Sequence, residues 1–275
     1  MKNLRVGILD MYMGASNEGM RCIKNSISHF GLVNGLEASF QTFDVRNYEK
    51  LPSATDFDAF VATGGPGSPL LENHAWETDF FAFIEKLEHH NNNEETQIPL
   101  FAICHSFQLL FQYYGLGKIT KRKSTAFGVM PLDILLSAKN ELFFQGLDNP
   151  FWVVDSRDYQ AIEPDLSRFE AIGASILCFE KERPHVSLER AIMAIRFNKY
   201  MFGTQFHPEA DGEGMHRLFL QEDKKAAVIA NHGEAKYKTM LDFLDDHEKI
   251  EKTEGIILPS FYKFVLDNKY KLVSQ

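Results

Sequence analysis

The amino-acid sequence predicts an α/β fold with a mainly parallel central sheet, helices on both faces of that sheet, and a helical C-terminal extension. In the first half of the chain, short apolar runs alternate with segments of helical periodicity about 12 residues long. In the second half the period changes toward two, and after Glu209 a charged helical pattern returns. Sheets of this class bind their ligands at the carboxyl ends of the parallel strands.

Strands and helices are predicted to alternate through the first half. Leu4 to Leu9 is a short apolar run and forms the first buried strand. Thr63 to Gly67 forms a tight turn, because consecutive glycines and a proline disfavour both helix and sheet. The strand at 98–103 leads directly into a helix that ends at Gly115. The predicted strands are 4–9, 38–45, 56–62 and 98–103; the predicted helices are 18–29, 73–89 and the one after Cys104; and 91–95 is a polar loop.

The second half is predicted to be β-rich and partly antiparallel, with a hairpin turn at Asn198 and Lys199. We expect residues 1–210 to form one domain, and residues 211–275 to form a helical extension packed on or beside it. The predicted strands are 125–135, 152–162, 169–176, 191–197 and 200–206, and the predicted helices are 211–223, 226–247 and 260–266.

Composition predicts a soluble cytoplasmic enzyme. The net charge of -9 and the pI near 5.6 argue against a nucleic-acid or anionic-membrane partner. Cys22, Cys104 and Cys178 are too few and too scattered for a disulfide framework or a zinc site, which indicates a reducing compartment. No apolar run approaches the length of a signal-peptide core or a membrane span. We expect no metal and no organic cofactor.

Cys104 lies where the strand at 98–103 changes into a helix. At such an elbow a side chain projects above the sheet edge, and the free N–H groups of the helix point toward an anion formed there. This position suits a nucleophile. A lone cysteine is more often a small buried core residue, however, so the assignment depends on other parts of the chain.

Two further stretches support a catalytic assignment. Residues 60–69 are an apolar strand that runs into a GGPGS turn, and residues 203–209, GTQFHPE, end another strand with a histidine and a carboxylate. Together with the cysteine elbow they resemble the class I (triad) glutamine amidotransferases, and in particular a GMP-synthase-like glutamine amidotransferase domain. The resemblance covers about residues 4 to 210 and implies the flavodoxin-like fold of that family.

The resemblance implies a role for each matching residue. Cys104 would be the nucleophile, His207 the base and acid, and Glu209 the group that orients His207, with a glutamyl thioester as intermediate. The backbone N–H groups of Gly65 and His105 would form the oxyanion hole. The residues that would contact the substrate are Gln108 and, less specifically, the main chain near Ser156.

The elbow departs from the family pattern at two positions. The family has glycine two residues before and two residues after the nucleophile, where this chain has Ala102 and Ser106. Both are small, so we expect the elbow to be kept. The Cys104–His105 pair also resembles the intracellular-protease-like branch of the same superfamily. That branch lacks the HPE element, whose presence here favours the amidotransferases.

Three functions remain open from the sequence. The first is a glutamine amidotransferase-type hydrolase that releases ammonia for a separate synthetase subunit, because the segment from Asp211 onward is short for an acceptor domain. The second is a stand-alone γ-glutamyl hydrolase or peptidase, with room for a larger leaving amine near residues 70–76 and 211–215. The third is a non-catalytic binding protein on the same fold. The partners to be considered are glutamine or another γ-glutamyl compound, and a second copy of the chain in a homodimer.

Overall fold

A computed structural model describes residues 2–47, 50–182, 189–244 and 246–271. In this part of the chain a single mixed sheet forms the centre of the molecule. Its strands are β1 (Asn3–Asp10), β2 (Glu37–Asp44), β3 (Ala59–Ala62), β4 (Leu100–Ile103), β5 (Lys118–Ile134), β6 (Phe151–Ile162), β7 (Ser175–Glu180), β8 (Ile192–Arg196) and β9 (Met201–Thr204).

α-Helices connect and cover these strands. α1 begins after Asn17, whose side chain accepts a hydrogen bond from the Met20 N–H, and ends at Gly35 in the left-handed conformation. The helices are α1 (Glu18–Asn34), α2 (Ala75–Asn93), α3 (His105–Tyr113), α4 (Leu166–Ile172), α5 (Gly212–Phe219), α6 (Glu222–His232), α7 (Glu234–Leu244) and α8 (His247–Lys271).

The sheet has a parallel half and an antiparallel half. Its order is β2-β1-β3-β4-β9-β8-β7-β5-β6. The strands from β2 to β9 in this order pair in parallel, and every pairing from β9 to β6 is antiparallel. The predicted α/β class, with a parallel core and a partly antiparallel second half, is confirmed. The carboxyl ends of β1, β3, β4 and β9 therefore meet at one edge of the sheet.

Alternate side chains of each buried strand enter different cores. In β3, Ala59 and Val61 pack with α1 and α8 on one face, whereas Phe60 and Ala62 pack with α2 and α3 on the other. Helices thus cover both faces of the parallel half, as predicted. The last helix is part of this core, since the ring of Tyr262 on α8 lies 5.3 Å from that of Phe30 on α1.

A third hydrophobic cluster joins the antiparallel half of the sheet to α5, α6 and α7. Val129 on β5 and Val154 on β6 pack there against Phe219, Val228 and Met240. The same strands connect to the carboxyl end of β9, because Val154 forms an isolated antiparallel bridge with His207. The antiparallel half and the C-terminal helices therefore meet beside the end of β9.

The predicted strand at 169–176 is wrong. Residues 166–172 form α4, and β7 begins only at Ser175. The Asp165 side chain caps α4 by accepting a hydrogen bond from the Arg168 N–H at 3.0 Å, and Gly173 in the left-handed conformation ends the helix. The β-branched residues that suggested a strand from 169 belong in part to β7, which follows.

Other boundaries also differ from the sequence prediction; β5, for example, begins at Lys118 and not at 125. α2 continues to Asn93, three residues into the predicted loop at 91–95, because the Asn91 side chain is satisfied by the backbone of Ile98. The predicted helix at 226–247 is interrupted at Gly233. α8 begins at His247 and continues through Pro259, where buried Leu258 and Phe261 outweigh the lost backbone hydrogen bond. Among the described residues, no helix combines the length and hydropathy needed to cross a bilayer.

Glu254 on α8 gives a prediction about pH and stability. Burial and the nearby Asp211 and Glu251 raise the pKa of Glu254 from 4.5 to about 7, although Arg21 opposes them. Because the folded-state pKa lies above the unfolded one, this carboxyl costs stability as the pH rises from 4.5 to 7, and the cost remains above pH 7. Glu254→Gln is therefore expected to raise the free energy of unfolding at pH 8, by about 1 kcal/mol after allowing for solvent screening.

Thermal unfolding at pH 4.5 and pH 8 measures this effect. The free energy of unfolding of Glu254→Gln should exceed that of the wild type by a small amount at pH 4.5 and by a larger amount at pH 8. Glu170→Gln, which changes an exposed carboxylate on α4, is the control and should show no such growth. An equal difference at both pH values would contradict the assignment.

Candidate active site

Cys104 occupies a sharp elbow between β4 and α3. Its φ of 49° and ψ of −95° lie outside the regions that a non-glycine residue ordinarily adopts, which costs about 1–3 kcal/mol. Hydrogen bonds on both sides hold this conformation: the Cys104 N–H donates to the Thr204 carbonyl on β9 at 2.8 Å, and the Cys104 carbonyl accepts from the Gln108 N–H at 3.1 Å. Ser106 helps to fix the elbow, since its hydroxyl donates to the Thr63 carbonyl at 2.5 Å.

His207 and Glu209 lie beside this elbow, beyond the end of β9. Nδ1 of His207 is 2.7 Å from Oε1 of Glu209, and the Glu209 side chain is completely buried. The other oxygen, Oε2, has no hydrogen-bond partner among the described residues. Gly19, in the first turn of α1, lies against Oε1, so the positive end of that helix faces the carboxylate.

The surroundings of His207 raise its pKa. Burial by itself lowers the pKa of His207, but the negative charges of Glu209 and Cys104, and hydrogen bonds to both side chains, raise it well above 6.5. A buried carboxylate with one partner strongly favours a cation on that partner. The raised pKa favours the imidazolium form of His207, whose Nδ1 is bonded to Glu209.

The backbone N–H groups of Gly65 and His105 are free to bind an oxyanion. Neither donates to an acceptor within the described part of the chain, and both residues line the same cavity as Cys104. The turn that carries Gly65 is fixed from outside by Arg46, whose guanidinium donates to the Pro66 carbonyl at 2.7 Å and lies over the Trp76 ring. These two N–H groups are thus held in place before a substrate arrives.

Gly65 has no room for a side chain. A Cβ at this position would lie 2.6 Å from the carbonyl oxygen of Met11, so the turn would have to move. Gly65→Ala is expected to displace one oxyanion donor and to lower kcat about 10²-fold, the usual effect of losing such a donor. Steady-state hydrolysis of glutamine measures this loss of kcat. Gly255→Ala on α8 is the control, because a Cβ at that position meets open space in the described structure. Equal kcat for the two variants would contradict the role of Gly65.

The two predicted substrate-contacting residues lie in the same cavity. The carbonyl oxygen of Ser156, on β6, is 3.8 Å from the Cys104 sulfur. Gln108 is buried on α3, and its Nε2 donates to Oε1 of Gln205 at 2.8 Å. Nε2 of Gln205 in turn lies 3.7 Å from the Cys104 sulfur. All seven predicted site residues are therefore brought together around one sulfur atom.

The cavity that holds these residues has a volume of about 550 Å³. It is bounded by the glycine turn, the first turn of α1, the β5–β6 pair and the start of α5. Residues 211, 214 and 215 of the predicted 211–215 loop line it, whereas no residue from 70–76 does. A larger cleft of about 1260 Å³ lies between β2 and α2, but none of the predicted site residues lines it.

Sequence reasoning missed three residues at this site. Tyr12 follows β1. A Cβ placed on Gly64 would lie 2.8 Å from the Tyr12 hydroxyl and 3.0 Å from Cε1 of His207, so these two side chains approach the same point. Burial, with the charges of Glu209 and Cys104, raises the pKa of Tyr12 well above 10.0, so the hydroxyl stays protonated. Arg46 supports the glycine turn, and Gln205 connects Gln108 to the sulfur. Of the three, only Gln205 lies in a motif that could have identified it.

The site residues do not form a metal centre. Over residues 2–47, 50–182, 189–244 and 246–271, no group of three His, Cys, Asp or Glu side chains is arranged to hold a metal ion. His105 is buried beside Cys104, and burial together with the charge of Arg46 lowers the pKa of its ring to about 3. Its imidazole is thus neutral, and the positive charge beside the sulfur belongs to His207.

Comparison with known proteins agrees with this geometry. The family model described as glutamine amidotransferase class-I matches residues 20–226. The GMP synthase [glutamine-hydrolyzing] of Dictyostelium discoideum is 26% identical over 175 residues, which are 62% of this chain and 22% of that protein. This chain therefore spans less than a quarter of the length of that curated relative.

Solved structures share the fold at low identity. A glutamine amidotransferase from Thermotoga maritima is 17% identical, with a TM-score of 0.69 over 96% of this chain and 98% of that one. A putative GMP synthase subunit from Thermoplasma acidophilum is 14% identical, with a TM-score of 0.58 over 99% and 98%. The glutaminase domain of Trypanosoma brucei CTPS, with bound acivicin, is 14% identical, with a TM-score of 0.54 over 75% and 86%. With a family model that matches most of its length, the chain belongs to the class-I glutamine amidotransferase family.

Proposed function

We propose that this protein hydrolyses the γ-carboxamide of glutamine through a triad of Cys104, His207 and Glu209. The observation that carries the proposal is the placement of His207, which is bonded to the buried Glu209 carboxylate and lines the same cavity as Cys104. This is the arrangement that covalent acyl transfer requires: a nucleophile, a proton carrier and a group that orients the carrier.

The first half of the reaction forms a thioester. The Cys104 sulfur attacks the amide carbon, and the carbonyl electrons move to the oxygen, where the N–H groups of Gly65 and His105 stabilise the negative charge. The adduct then collapses, and the C–N bond breaks as His207 gives its proton to the departing nitrogen. Ammonia leaves, and the glutamyl group remains on sulfur.

The second half releases glutamate. Water attacks the thioester carbon, and His207, now neutral, takes a proton from that water. When the C–S bond breaks, glutamate leaves, and the proton on His207 restores the original pair with the Cys104 sulfur. Glu209 remains charged throughout and holds Nδ1, so that Nε2 faces the sulfur and the substrate.

The substrate is held by the polar side of the cavity. Gln108 and the main chain of Ser156 line the cavity, where Gln108 would contact the substrate glutamine and the main chain of Ser156 its α-amino and carboxylate groups. The likeness to GMP synthase supports a synthetase as the user of the ammonia. The non-catalytic alternative has little support, because it leaves the strained elbow and the buried Glu209 without a purpose.

The test is the stoichiometry of glutamine hydrolysis by the purified protein. We expect glutamate and ammonia in equal amounts, and a Cys178→Ala variant should match the wild type because Cys178 is buried on β7, away from the site. If folded protein releases no glutamate from glutamine or from any other γ-glutamyl amide, the proposal is wrong.

A further inference from the structure

The active-site cavity extends beyond the triad on the side of His207. The backbone N–H of His207 donates to the Val154 carbonyl at 2.9 Å, so β6 runs directly beside the His207 backbone. Val154 lines the cavity, and it also belongs to the hydrophobic cluster between the β5–β6 pair and the C-terminal helices. The wall next to His207 is therefore apolar.

The rest of this wall comes from three elements. Phe127 is on β5, Met215 and Leu218 are on α5, and Val228 is on α6; all four line the cavity and pack in the same cluster as Val154. We call Phe127, Val154, Met215, Leu218 and Val228 the apolar wall. It is continuous hydrocarbon surface, because its members pack against one another as well as facing the cavity.

The reaction itself decides which part of a substrate meets this wall. His207 must protonate the leaving nitrogen, so any group attached to that nitrogen lies on the His207 side of the cavity. Gln108 and Ser156 also line the cavity, and the Ser156 carbonyl oxygen is 3.8 Å from the Cys104 sulfur. A substituent on the leaving amine therefore points toward the apolar wall.

The cavity is larger than glutamine needs. Glutamine has about ten non-hydrogen atoms, each of which takes less room than the roughly 30 Å³ that a water molecule occupies, so it fills at most about 300 Å³. The cavity volume is about 550 Å³. The space that remains is enough for a leaving amine of several carbon atoms.

The charges around the cavity argue against a cationic amine. Besides Glu209, three acidic residues line the cavity, and each already has a partner: Glu18 and Asp211 bind Arg21, and Asp158 accepts a hydrogen bond from Thr125 at 2.5 Å. A positively charged substituent would have to compete for these carboxylates and would also lose its hydration against hydrocarbon. A neutral, apolar substituent meets neither cost.

We propose, on the basis of the function proposed above, that the same site cleaves γ-glutamyl amides whose leaving amine carries a short apolar group. Phe127, Val154, Met215, Leu218 and Val228 are the residues that determine this specificity. The chemistry is that of glutamine hydrolysis, except that the nitrogen protonated by His207 leaves as a primary amine instead of ammonia. The C-terminal helices α5 and α6 thus complete the leaving-group pocket.

The experiment compares kcat/KM for glutamine and for its γ-N-methyl, ethyl and propyl amides. Each buried methylene is expected to raise kcat/KM about fourfold along the alkyl series. The γ-N-(2-hydroxyethyl) amide has the shape of the propyl amide but a polar end, and it should fall well below the propyl amide because its hydroxyl would be buried without a partner.

Two variants connect the specificity to the wall. Leu218→Ser should lower the ratio of kcat/KM for the propyl amide to that for glutamine by about fivefold. Leu220→Ser, on the same segment but exposed, should leave that ratio unchanged. Val228→Thr keeps the shape of the side chain and creates no cavity. It should still lower the ratio of kcat/KM for the propyl amide to that for glutamine, which would show that the polarity of the wall is responsible and that misfolding is not.

The outcomes are distinguishable. Rising kcat/KM along the alkyl series, with a ratio that falls in Leu218→Ser and Val228→Thr, supports the proposal. If glutamine is hydrolysed but kcat/KM falls with each methylene, or if the hydroxyethyl and propyl amides are equal, the leaving-group pocket is refuted and glutamine hydrolysis stands. If no compound in the series yields glutamate, both proposals fail.

Discussion

Replacing Cys104 with alanine is expected to abolish glutamine hydrolysis, with a loss of kcat on the order of 10⁴- to 10⁶-fold. The thioester cannot form without the sulfur, and the remaining groups can only assist a direct attack by water. Folding should survive, because the change removes one small side chain and the strained backbone remains held by Thr204 and Gln108. The measurement is glutamate release at saturating glutamine, together with thermal unfolding of the same preparation.

The other two cysteines provide matched controls. Cys22 lines the same cavity, but burial raises the pKa of its thiol to about 12. Burial also raises the pKa of Cys178 well above 9.0. Neither forms a thiolate at neutral pH, so Cys22→Ala and Cys178→Ala should keep most of the wild-type kcat. Substantial turnover by Cys104→Ala, or a comparable loss in Cys22→Ala, would remove Cys104 from the mechanism.

Replacing His207 with asparagine is expected to lower kcat about 10²- to 10⁴-fold, the usual contribution of a general acid and base. Asparagine cannot carry the proton that the leaving nitrogen needs, and it leaves the buried Glu209 carboxylate without its cationic partner. His29→Asn, which changes an exposed histidine on α1, is the control and should be fully active. Near-normal turnover in His207→Asn would show that another group transfers the proton.

Glu209→Gln should lower kcat less than His207→Asn does, and it should change the pH dependence of kcat/KM. Glu209 raises the pKa of His207, so removing its charge lowers that pKa. Since the reaction needs protonated His207, the alkaline limb of the kcat/KM profile should move to lower pH in this variant. A lower rate with an unchanged alkaline limb would mean that Glu209 acts on something other than His207.

Much of the site could be predicted because its residues lie at the ends of strands. Cys104 follows β4 and His207 follows β9, and these two strands are neighbours in the parallel sheet. A strand-to-helix elbow and a strand end are local features that the sequence shows directly. Cys104 and His207 are about a hundred positions apart in the sequence, and the pairing of their neighbouring parallel strands is enough to bring them together.

What the sequence could not show depends on packing between distant elements. Arg46 belongs to no motif, and its role becomes visible only when its guanidinium meets the Pro66 carbonyl. Met215 and Val228 look like ordinary apolar positions of amphipathic helices, and nothing local indicates that they face a cavity as well as a core. The predicted helix at 260–266 is part of a much longer helix, because tertiary contacts carry α8 through Pro259.

The most direct test of the account is to identify the atom that an electrophilic glutamine analogue attacks. The protein is incubated with 6-diazo-5-oxo-L-norleucine, with and without excess glutamine, and the label is located by peptide mass spectrometry. We expect one label per chain, on Cys104, formed more slowly when glutamine is present and absent from Cys22 and Cys178. A label on another residue, or no label in protein that still releases glutamate from glutamine, would contradict it.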